Sequence, residues 1–282
     1  MKQDPIDLAE LELLAIGAAK AAGALIVDER PDDLGVSAKS SPTDAVTVMD
    51  QRSQDLLVRH FADRRPLDGV YGEEEGGKRS RSGITWVVDP IDGTVNYLYG
   101  NPAYAVSVAA VRGDPATRGS WTPIAGAVYN PVSGELFHAH EGGGARLTVG
   151  ASSRPLSVRH PEHLGMALVG TGFGYAAERR EAEAAALVEI LPRIRDIRRE
   201  GSAALDLCRV ACGRLDAHYE VGLHVWDMAA GLLVAREAGA VAGGLVDEHP
   251  SHDLAWVSAP SVAQDLAELV RRVTLAGGTY QS

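Results

Sequence analysis

The sequence predicts a protein that is α+β in its first half and α/β in its second half. Two amphipathic helices precede a series of strands at the start of the chain, whereas strands and helices alternate later. The chain has 282 residues and is 45% hydrophobic, which suits one large domain or two modest ones. The polar segment 150–155 marks a boundary, so we predict an N-terminal half over residues 1–152 and a C-terminal half over residues 153–282.

The first half opens with two predicted helices. Leucines and alanines recur every three or four residues between Ile6 and Glu29, and Pro31 follows, which predicts one long amphipathic helix. A polar loop leads to a second helix over 47–62. Apolar and alternating runs then predict strands at 70–75, 85–89, 103–112, 123–130, 134–140, 144–149 and 156–158.

The second half alternates between the two kinds of element, which is typical of an α/β arrangement. Strands are predicted at 166–171, 196–199, 215–220, 240–246 and 254–258. Helices are predicted at 176–191, 202–212, 226–238 and 262–273, and Gly239 would end the third of these.

Composition and charge exclude several classes of protein. The net charge of −11 disfavours nonspecific binding to nucleic acid or to an anionic membrane. No apolar run approaches the roughly 20 residues of a membrane span. The acidic N-terminal residues do not resemble a signal peptide, and the two cysteines, Cys208 and Cys212, are predicted to be free core thiols. The predicted compartment is the cytoplasm.

The stretch from Thr85 to Thr94 combines the features of a metal site and a phosphate site. An apolar strand is predicted to end at Asp89, because Pro90 lacks the N–H group that a sheet requires. Asp92 follows three positions later, so two carboxylates could converge on a hard cation such as Mg²⁺. The backbone N–H groups of Gly93 and Thr94, at a predicted helix start, could bind a phosphate.

Two further acidic groups, the Glu73-Glu74 pair and Asp227, stand at element boundaries. Carboxylates are mostly exposed, so Glu73 and Glu74 alone are also compatible with a solvated surface. Asp227 is equally compatible with a helix N-cap. The histidines, including His138, His140, His218 and His224, lack the spacing of a zinc site.

Motifs along almost the whole chain resemble the signature set of the inositol monophosphatase family. The principal segments are Gly72-Glu73-Glu74, Trp86 to Thr94 and Trp226 to Gly231, and they occur in family order. The similarity extends to Lys39-Ser40-Ser41-Pro42-Thr43-Asp44, to 201–204 and to 216–220. The resemblance implies the layered α-β-α-β-α sandwich of the inositol monophosphatase and fructose-1,6-bisphosphatase type, usually as a homodimer.

The resemblance also implies hydrolysis of small phosphate monoesters with two or three Mg²⁺ ions per active site, often with inhibition by Li⁺. Glu73, Asp89 and the Ile91 carbonyl would hold the first ion, and Glu73 would also hold a third. Asp89, Asp92 and Asp227 would hold the second ion. In two-metal catalysis one ion generates hydroxide while the other stabilises the leaving oxygen.

Catalytic and substrate-binding roles follow from the same resemblance. Besides Glu73, the residues Asp44 and Thr94 would orient and help deprotonate the attacking water. The residues expected to contact the substrate are Asp92, Gly93, Thr94, Gly201, Ser202, Ala203, Glu220 and Asp227.

The leading substrate is inositol 1-phosphate, and the substrate class is a small phosphorylated polyol or amino alcohol. Glu220 could accept hydrogen bonds from ring hydroxyls, or it could attract an amine such as that of histidinol phosphate. Arg198 and Arg199 depart from the less charged stretch of animal relatives, and a subunit contact or solvent would also account for them. Alternatives are the same chemistry on histidinol phosphate, fructose-1,6-bisphosphate or a 3′-phosphonucleotide, and, in another class, a transcription- or RNA-associated binding protein.

Overall fold

The computed structural model describes residues 7–39 and 41–277. Ile6, Ser40 and the last residues of the predicted C-terminal half, 278–282, therefore lie outside the described residues. The described helices are α1 (Leu8–Asp28), α2 (Val48–Arg64), α3 (Thr94–Tyr99), α4 (Ala177–Ile190), α5 (Ala203–Ala211), α6 (Val225–Glu237) and α7 (Ala263–Gly277). Short 3₁₀ turns occur at Leu164–Met166, Leu191–Arg193 and Pro260–Val262.

The described strands form three sheets. A two-stranded ribbon consists of β1 (Ser37–Ala38) and β2 (Ala45–Val46). The first large sheet contains β3 (Gly69–Gly72), β4 (Ile84–Asp92), β5 (Ala105–Gly113), β6 (Trp121–Asn130), β7 (Glu135–His140), β8 (Gly144–Val149) and β9 (Ser152–Pro155). The second contains β10 (Leu168–Thr171), β11 (Asp196–Arg198), β12 (Ala217–Glu220), β13 (Val241–Gly243) and β14 (Ala255–Ser258).

The seven-stranded sheet runs in chain order from β3 to β9, and each pair except the parallel pair β3–β4 is antiparallel. Side chains of β4 alternate between its two faces. Trp86 and Val88 join the core beneath α1 and α2, where Trp86 stacks on Phe61 at 4.1 Å between ring centroids. Val87 points the other way, into the core formed with α5 and α6.

The five-stranded sheet has the order β11-β10-β12-β14-β13. Strand β10 is parallel to both of its neighbours, and β14 is antiparallel to β12 and β13. Helices α5 and α6 contribute to the core between the two large sheets, and α7 packs on the outer face of the second one. The layered α-β-α-β-α sandwich expected from the sequence is confirmed.

Several predicted strand limits are wrong: the strands predicted at 70–75 and 240–246, for example, end earlier, at Gly72 and Gly243. Strand β4 continues past Asp89 to Asp92, because a shift of register between these residues accommodates Pro90 within the strand. The segment 156–158 is not a strand, and β9 occupies Ser152–Pro155 instead. Strand β9 is fully exposed, so it lacks the apolar alternation by which half-buried strands are recognised.

The boundary predicted between the two halves falls inside the first sheet. Residue 152 begins β9, and the next strand, β10, belongs to the second sheet. The division at residue 152 stays a prediction. Among the described residues, no helix is both long enough and apolar enough to cross a membrane.

Candidate active site

Three carboxylates converge where the two large sheets meet. Asp89 and Asp92 come from the irregular end of β4, and Asp227 comes from the first turn of α6. One oxygen atom of each lies within 4.8 Å of the others. Asp89 is 2% exposed and Asp92 is 7% exposed, so little solvent separates their charges.

This acidic trio has the electrostatics of a cation site. Burial raises the pKa of Asp89 well above its usual value, and the charges of Glu73, Asp92 and Asp227 raise it further. Burial and the charges of Asp92 and Glu73 likewise raise the pKa of Asp227. Burial also raises the pKa of Asp92 to about 7, although hydrogen bonds from Ser202 and Ala204 oppose that shift. Mutual repulsion disfavours the ionisation of all three carboxylates, a nearby positive charge favours it, and oxygen atoms are the ligands that Mg²⁺ prefers.

Asp92 also joins the two halves of the chain. Its carboxylate accepts hydrogen bonds from the Ser202 hydroxyl, from the Ala203 N–H at 3.3 Å and from the Ala204 N–H at 2.8 Å. These donors lie at the start of α5, where backbone N–H groups have no partner within the helix. Two of the residues predicted to contact substrate, Ser202 and Ala203, are thereby fixed against a predicted metal ligand.

The turn after β4 is held by local hydrogen bonds. The Ile91 N–H donates to Asp89 Oδ1 at 3.0 Å, and the Ile91 carbonyl accepts from the Thr94 hydroxyl at 3.0 Å. Gly93 precedes α3 with φ of 95°, a conformation that favours glycine. A Cβ atom there would also lie 3.0 Å from the carbonyl oxygens of Ala103 and Gly201.

The carboxylate beside the Thr94 hydroxyl is that of Asp50, which the sequence prediction missed. Thr94 Oγ1 lies 3.1 Å from Asp50 Oδ1. Asp50 Oδ2 accepts from the N–H and the hydroxyl of Thr47 at 2.8 and 2.6 Å. Asp50 is fully buried, and this burial raises its pKa. The Thr47-to-Asp50 spacing is a capping box at the start of α2, and this signal was available in the sequence.

Glu73 reaches the same cavity but is paired with a lysine. Its Oε1 atom lies 2.8 Å from Lys39 Nζ, and Glu74 also pairs with Lys39. Burial lowers the pKa of Lys39, and the two glutamates raise it by more, so the ammonium stays charged. Glu73 is therefore outside the carboxylate trio, although its charge contributes to the raised pKa of Asp89 and of Asp227.

One cavity of about 630 Å³ contains the whole predicted site. Its lining includes Asp44, Glu73, Asp89, Ile91, Asp92, Gly93, Thr94, Gly201, Ser202, Ala203, Glu220 and Asp227, which are all the residues predicted to act in the site. The structure thus brings these residues together, while their individual roles stay predictions. Lining residues outside that predicted set include Lys39, Phe173, Tyr175, Arg179, Arg199, His224, Trp226 and His252.

An acidic trio beside the backbone amides at the start of a helix is typical of the class of protein that binds a cation together with a phosphate group. The comparisons with known proteins are more specific. Residues 7–274 match the model described as "Inositol monophosphatase family", and the chain belongs to that family. It is a phosphatase, and hence a hydrolase.

Three similar proteins illustrate the relationship. "Inositol-1-monophosphatase SuhB" of Mycobacterium tuberculosis is 45% identical over 247 residues, which is 82% of this chain and 83% of the relative. "Nus factor SuhB" of Xylella fastidiosa is 38% identical over 229 residues, covering 80% of this chain and 78% of the relative. The solved structure of "Mycobacterium tuberculosis SuhB" matches with a TM-score of 0.79 and 39% identity, covering 95% of this chain and 98% of that one.

Proposed function

We propose that this protein is a Mg²⁺-dependent phosphomonoesterase whose leading substrate is inositol 1-phosphate, hydrolysed by in-line attack of water. The observation that carries the proposal is the trio of Asp89, Asp92 and Asp227, with one oxygen of each within 4.8 Å of the others and with Asp89 and Asp92 buried. The 45% identity to a protein named inositol-1-monophosphatase supports the choice of substrate.

The trio fits a hard divalent cation. Asp89, Asp92 and Asp227 would hold one Mg²⁺ ion, and Asp89 with the Ile91 carbonyl and Glu73 would hold another. Glu73 would also hold a third ion, and for either role it would exchange its contact with Lys39. When bound, Mg²⁺ supplies Lewis-acid activation of water and charge stabilisation for the leaving oxygen.

The residues around Thr94 are suited to moving a proton. The Thr94 hydroxyl lines the cavity and lies between the Ile91 carbonyl and Asp50. Because the pKa of Asp50 is raised by burial, its carboxylate is a better proton acceptor than an exposed aspartate. We therefore assign Asp50, with Thr94, the orientation and deprotonation of the water. Asp44 also lines the cavity and remains the alternative carboxylate for this role.

The phosphate and the alcohol would occupy different parts of the cavity. The backbone amides of Gly93 and Thr94, next to the trio, would receive the phosphate. Gly201, Ser202 and Ala203 would contact the alcohol on one side, and Glu220 would accept a hydrogen bond from it on the other.

A panel of substrates at fixed Mg²⁺ tests the proposal. We expect inositol 1-phosphate to have a higher kcat/KM than histidinol phosphate, fructose-1,6-bisphosphate or a 3′-phosphonucleotide. Fast turnover of one of the other three, with negligible turnover of inositol 1-phosphate, would transfer the assignment to that substrate. No turnover of any would refute the phosphatase proposal.

A second candidate function is association with transcription machinery or RNA. The observation in its favour is the 38% identity to a protein named Nus factor SuhB. The net charge of −11 argues against direct RNA binding. A cellular phenotype that survives the inactive variant Asp89→Asn would favour this candidate, and a phenotype lost with activity would favour the enzyme.

We further propose that the protein is a cytoplasmic homodimer that Li⁺ inhibits. Sedimentation of the purified protein tests the dimer, and a monomer at micromolar concentration would refute it. Turnover measured against rising LiCl, with NaCl as the control salt, tests the inhibition.

A further inference from the structure

Gly170 on β10, and Gly172 directly after that strand, leave room for two side chains on β12. Gly170 pairs with His218 in the parallel register of these strands. A Cβ atom at Gly170 would lie 2.9 Å from His218 Nδ1, and one at Gly172 would lie 1.9 Å from Glu220 Oε1. His218 and Glu220 point to the same face of β12 because they are two residues apart. The imidazole and the carboxylate thus occupy a space that glycines keep open.

His218 is a buried imidazole between two carboxylates. Its side chain is 0% exposed, with Nε2 3.4 Å from Glu220 Oε2 and Nδ1 3.8 Å from Asp206 Oδ2. Neither ring nitrogen makes an aligned hydrogen bond with a described residue. Burial lowers the pKa of His218, while Glu220 and Asp206 raise it by more, so the net direction is upward.

The charge on this imidazole changes what Glu220 can offer to a substrate. Glu220 lines the cavity and its side chain is 16% exposed. An ionised Glu220 without a counter-charge would attract a substrate ammonium group. A Glu220 paired with an imidazolium carries little net charge, yet its oxygens still accept hydrogen bonds from hydroxyl groups.

Basic side chains in the lining of the same cavity are also unfavourable for a cation. Arg179 and Arg199 both line it, together with Lys39. Arg179 is paired with Glu183 at 2.9 Å, whereas Arg199 has no carboxylate partner among the described residues and lies over the Phe173 ring at 6.0 Å. A neutral alcohol therefore suits a cavity with these basic side chains better than an amino alcohol does.

We propose that His218 is a positioning residue, an imidazolium buried behind Glu220, which fixes that carboxylate as a neutralised acceptor for a substrate hydroxyl. His218 thereby makes the enzyme select polyol phosphates over amino alcohol phosphates. This inference rests on the proposed phosphatase function.

A double-mutant cycle tests the inference. The kcat and KM values for inositol 1-phosphate and histidinol phosphate are measured in the wild type, His218→Asn, Glu220→Gln and the double variant. In His218→Asn we expect KM for inositol 1-phosphate to rise about tenfold, with kcat changed by less than about twofold. The kcat/KM ratio should shift about tenfold toward histidinol phosphate. In the Glu220→Gln background, His218→Asn should shift that ratio by less than about twofold, because the residue acts through Glu220.

His138→Asn is the matched control. His138 is also a buried histidine beside a carboxylate, with Nδ1 2.6 Å from Glu12 Oε1, and it lies on β7 outside the cavity lining. We expect this control to lower the melting temperature without changing the substrate ratio. An unchanged ratio in His218→Asn, or equal shifts with and without Glu220, would overturn the inference while leaving the phosphatase proposal intact. A wild type that hydrolyses neither substrate would overturn both.

Nitrogen NMR of histidine-labelled wild-type protein measures the protonation of the His218 ring directly and does not depend on the kinetics of a variant. We expect both ring nitrogens of His218 to carry protons at neutral pH, and His218→Gln would assign the signal. A neutral His218 ring would overturn the inference.

Discussion

The carboxylates of the acidic trio differ in the number of hydrogen bonds that they accept from the protein. Asp92 binds the start of α5 through three hydrogen bonds, and Asp227 Oδ2 accepts from the His224 N–H at 2.6 Å. Asp89 Oδ1 accepts from the Ile91 N–H. Each carboxylate therefore has an oxygen fixed by the protein, which holds the trio in place before any cation arrives.

Removing one charge from the trio should nearly abolish turnover. We expect Asp92→Asn and Asp227→Asn each to lower kcat/KM by about a hundredfold or more, because the amide is a weaker ligand and leaves a cation undercompensated. Steady-state kinetics over a range of Mg²⁺ concentrations measures the effect. Asp196→Asn is the control, since that carboxylate is half exposed and outside the cavity lining. Near-normal rates in either trio variant would refute the metal assignment.

The same kinetic measurements distinguish Asp50 from Asp44 as the carboxylate that acts with Thr94. Because Asp50 contacts the Thr94 hydroxyl, Asp50→Asn should lower kcat by about a hundredfold with a small change in KM. Thr94→Ser should keep most of the activity, since it retains the hydroxyl, and Thr94→Val should lose it. A larger loss in Asp44→Asn than in Asp50→Asn would return the role to Asp44.

At the scale of elements, the turn between β4 and α3 determines the position of the site. Pro90 lies within the strand, and the register shift beside it turns Asp89 and Asp92 toward the same cavity. Gly93 then approaches the carbonyls of Ala103 and Gly201 closely. These two carbonyls belong to different halves of the chain, so the turn is packed from both sides.

A side chain at Gly93 should therefore destabilise the fold by more than the backbone conformation alone requires. We expect Gly93→Ala to lower the free energy of unfolding by about 2–4 kcal/mol, from a positive φ and from steric contact. Gly134→Ala is the control, with φ of 71° and open space around a Cβ atom. It should cost about 1 kcal/mol. Urea unfolding compares the two, and equal losses would show that the contacts at Gly93 relax freely.

Sequence patterns predicted the elements with strong periodicity and missed those without it. The long amphipathic helix is recognisable because its apolar residues repeat about every 3.6 positions. The buried strand β4 is recognisable because most of its residues are apolar. Strand β9 is polar and exposed, so its pairing with β8 depends on the hairpin and leaves little trace in composition. Asp50 was missed because its local sequence indicates a helix cap, and the contact with the Thr94 hydroxyl depends on residues 44 positions apart.

The features that the sequence does not predict depend on contacts between residues far apart in the chain. Asp89, Asp92 and Asp227 were grouped through motifs that resemble a family, and composition alone gives no reason to pair residues so far apart. The two glycines beside His218 and Glu220 acquire meaning only when β10 and β12 are adjacent. His218 lacks the spacing of a zinc ligand, but that spacing concerns neighbours along the chain and gives no information about the side chains around His218 in the fold.

At the scale of the molecule, the cavity couples protonation, metal binding and stability. In the metal-free protein the pKa of Asp92 is raised from 3.8 to about 7, and those of Asp89 and Asp227 are raised as well. The folded state then binds more protons than the unfolded state in this interval. The free energy of unfolding contributed by these groups therefore falls as pH rises through it.

We expect the melting temperature of the metal-free protein to fall between about pH 5 and about pH 8 on account of the trio. Mg²⁺ at about a hundred times its Kd should restore about 2.7 kcal/mol, and the gain should be larger at the higher pH. Calorimetry with and without EDTA measures both effects. Asp92→Asn should flatten the pH dependence. A melting temperature that does not change with Mg²⁺ at pH 8 would contradict the assignment of the trio as a metal site.

The hydrogen bond from Ser202 to Asp92 spans 110 positions of the chain, and Asp227 comes later still. A polypeptide emerging from the ribosome would therefore carry two of the three acidic ligands long before the third exists. On the proposed metal assignment, a fragment from one half lacks part of the ligand set, so activity would require synthesis of the chain through α6. A single proteolytic cut that releases the C-terminal half would, by the same logic, turn the enzyme off.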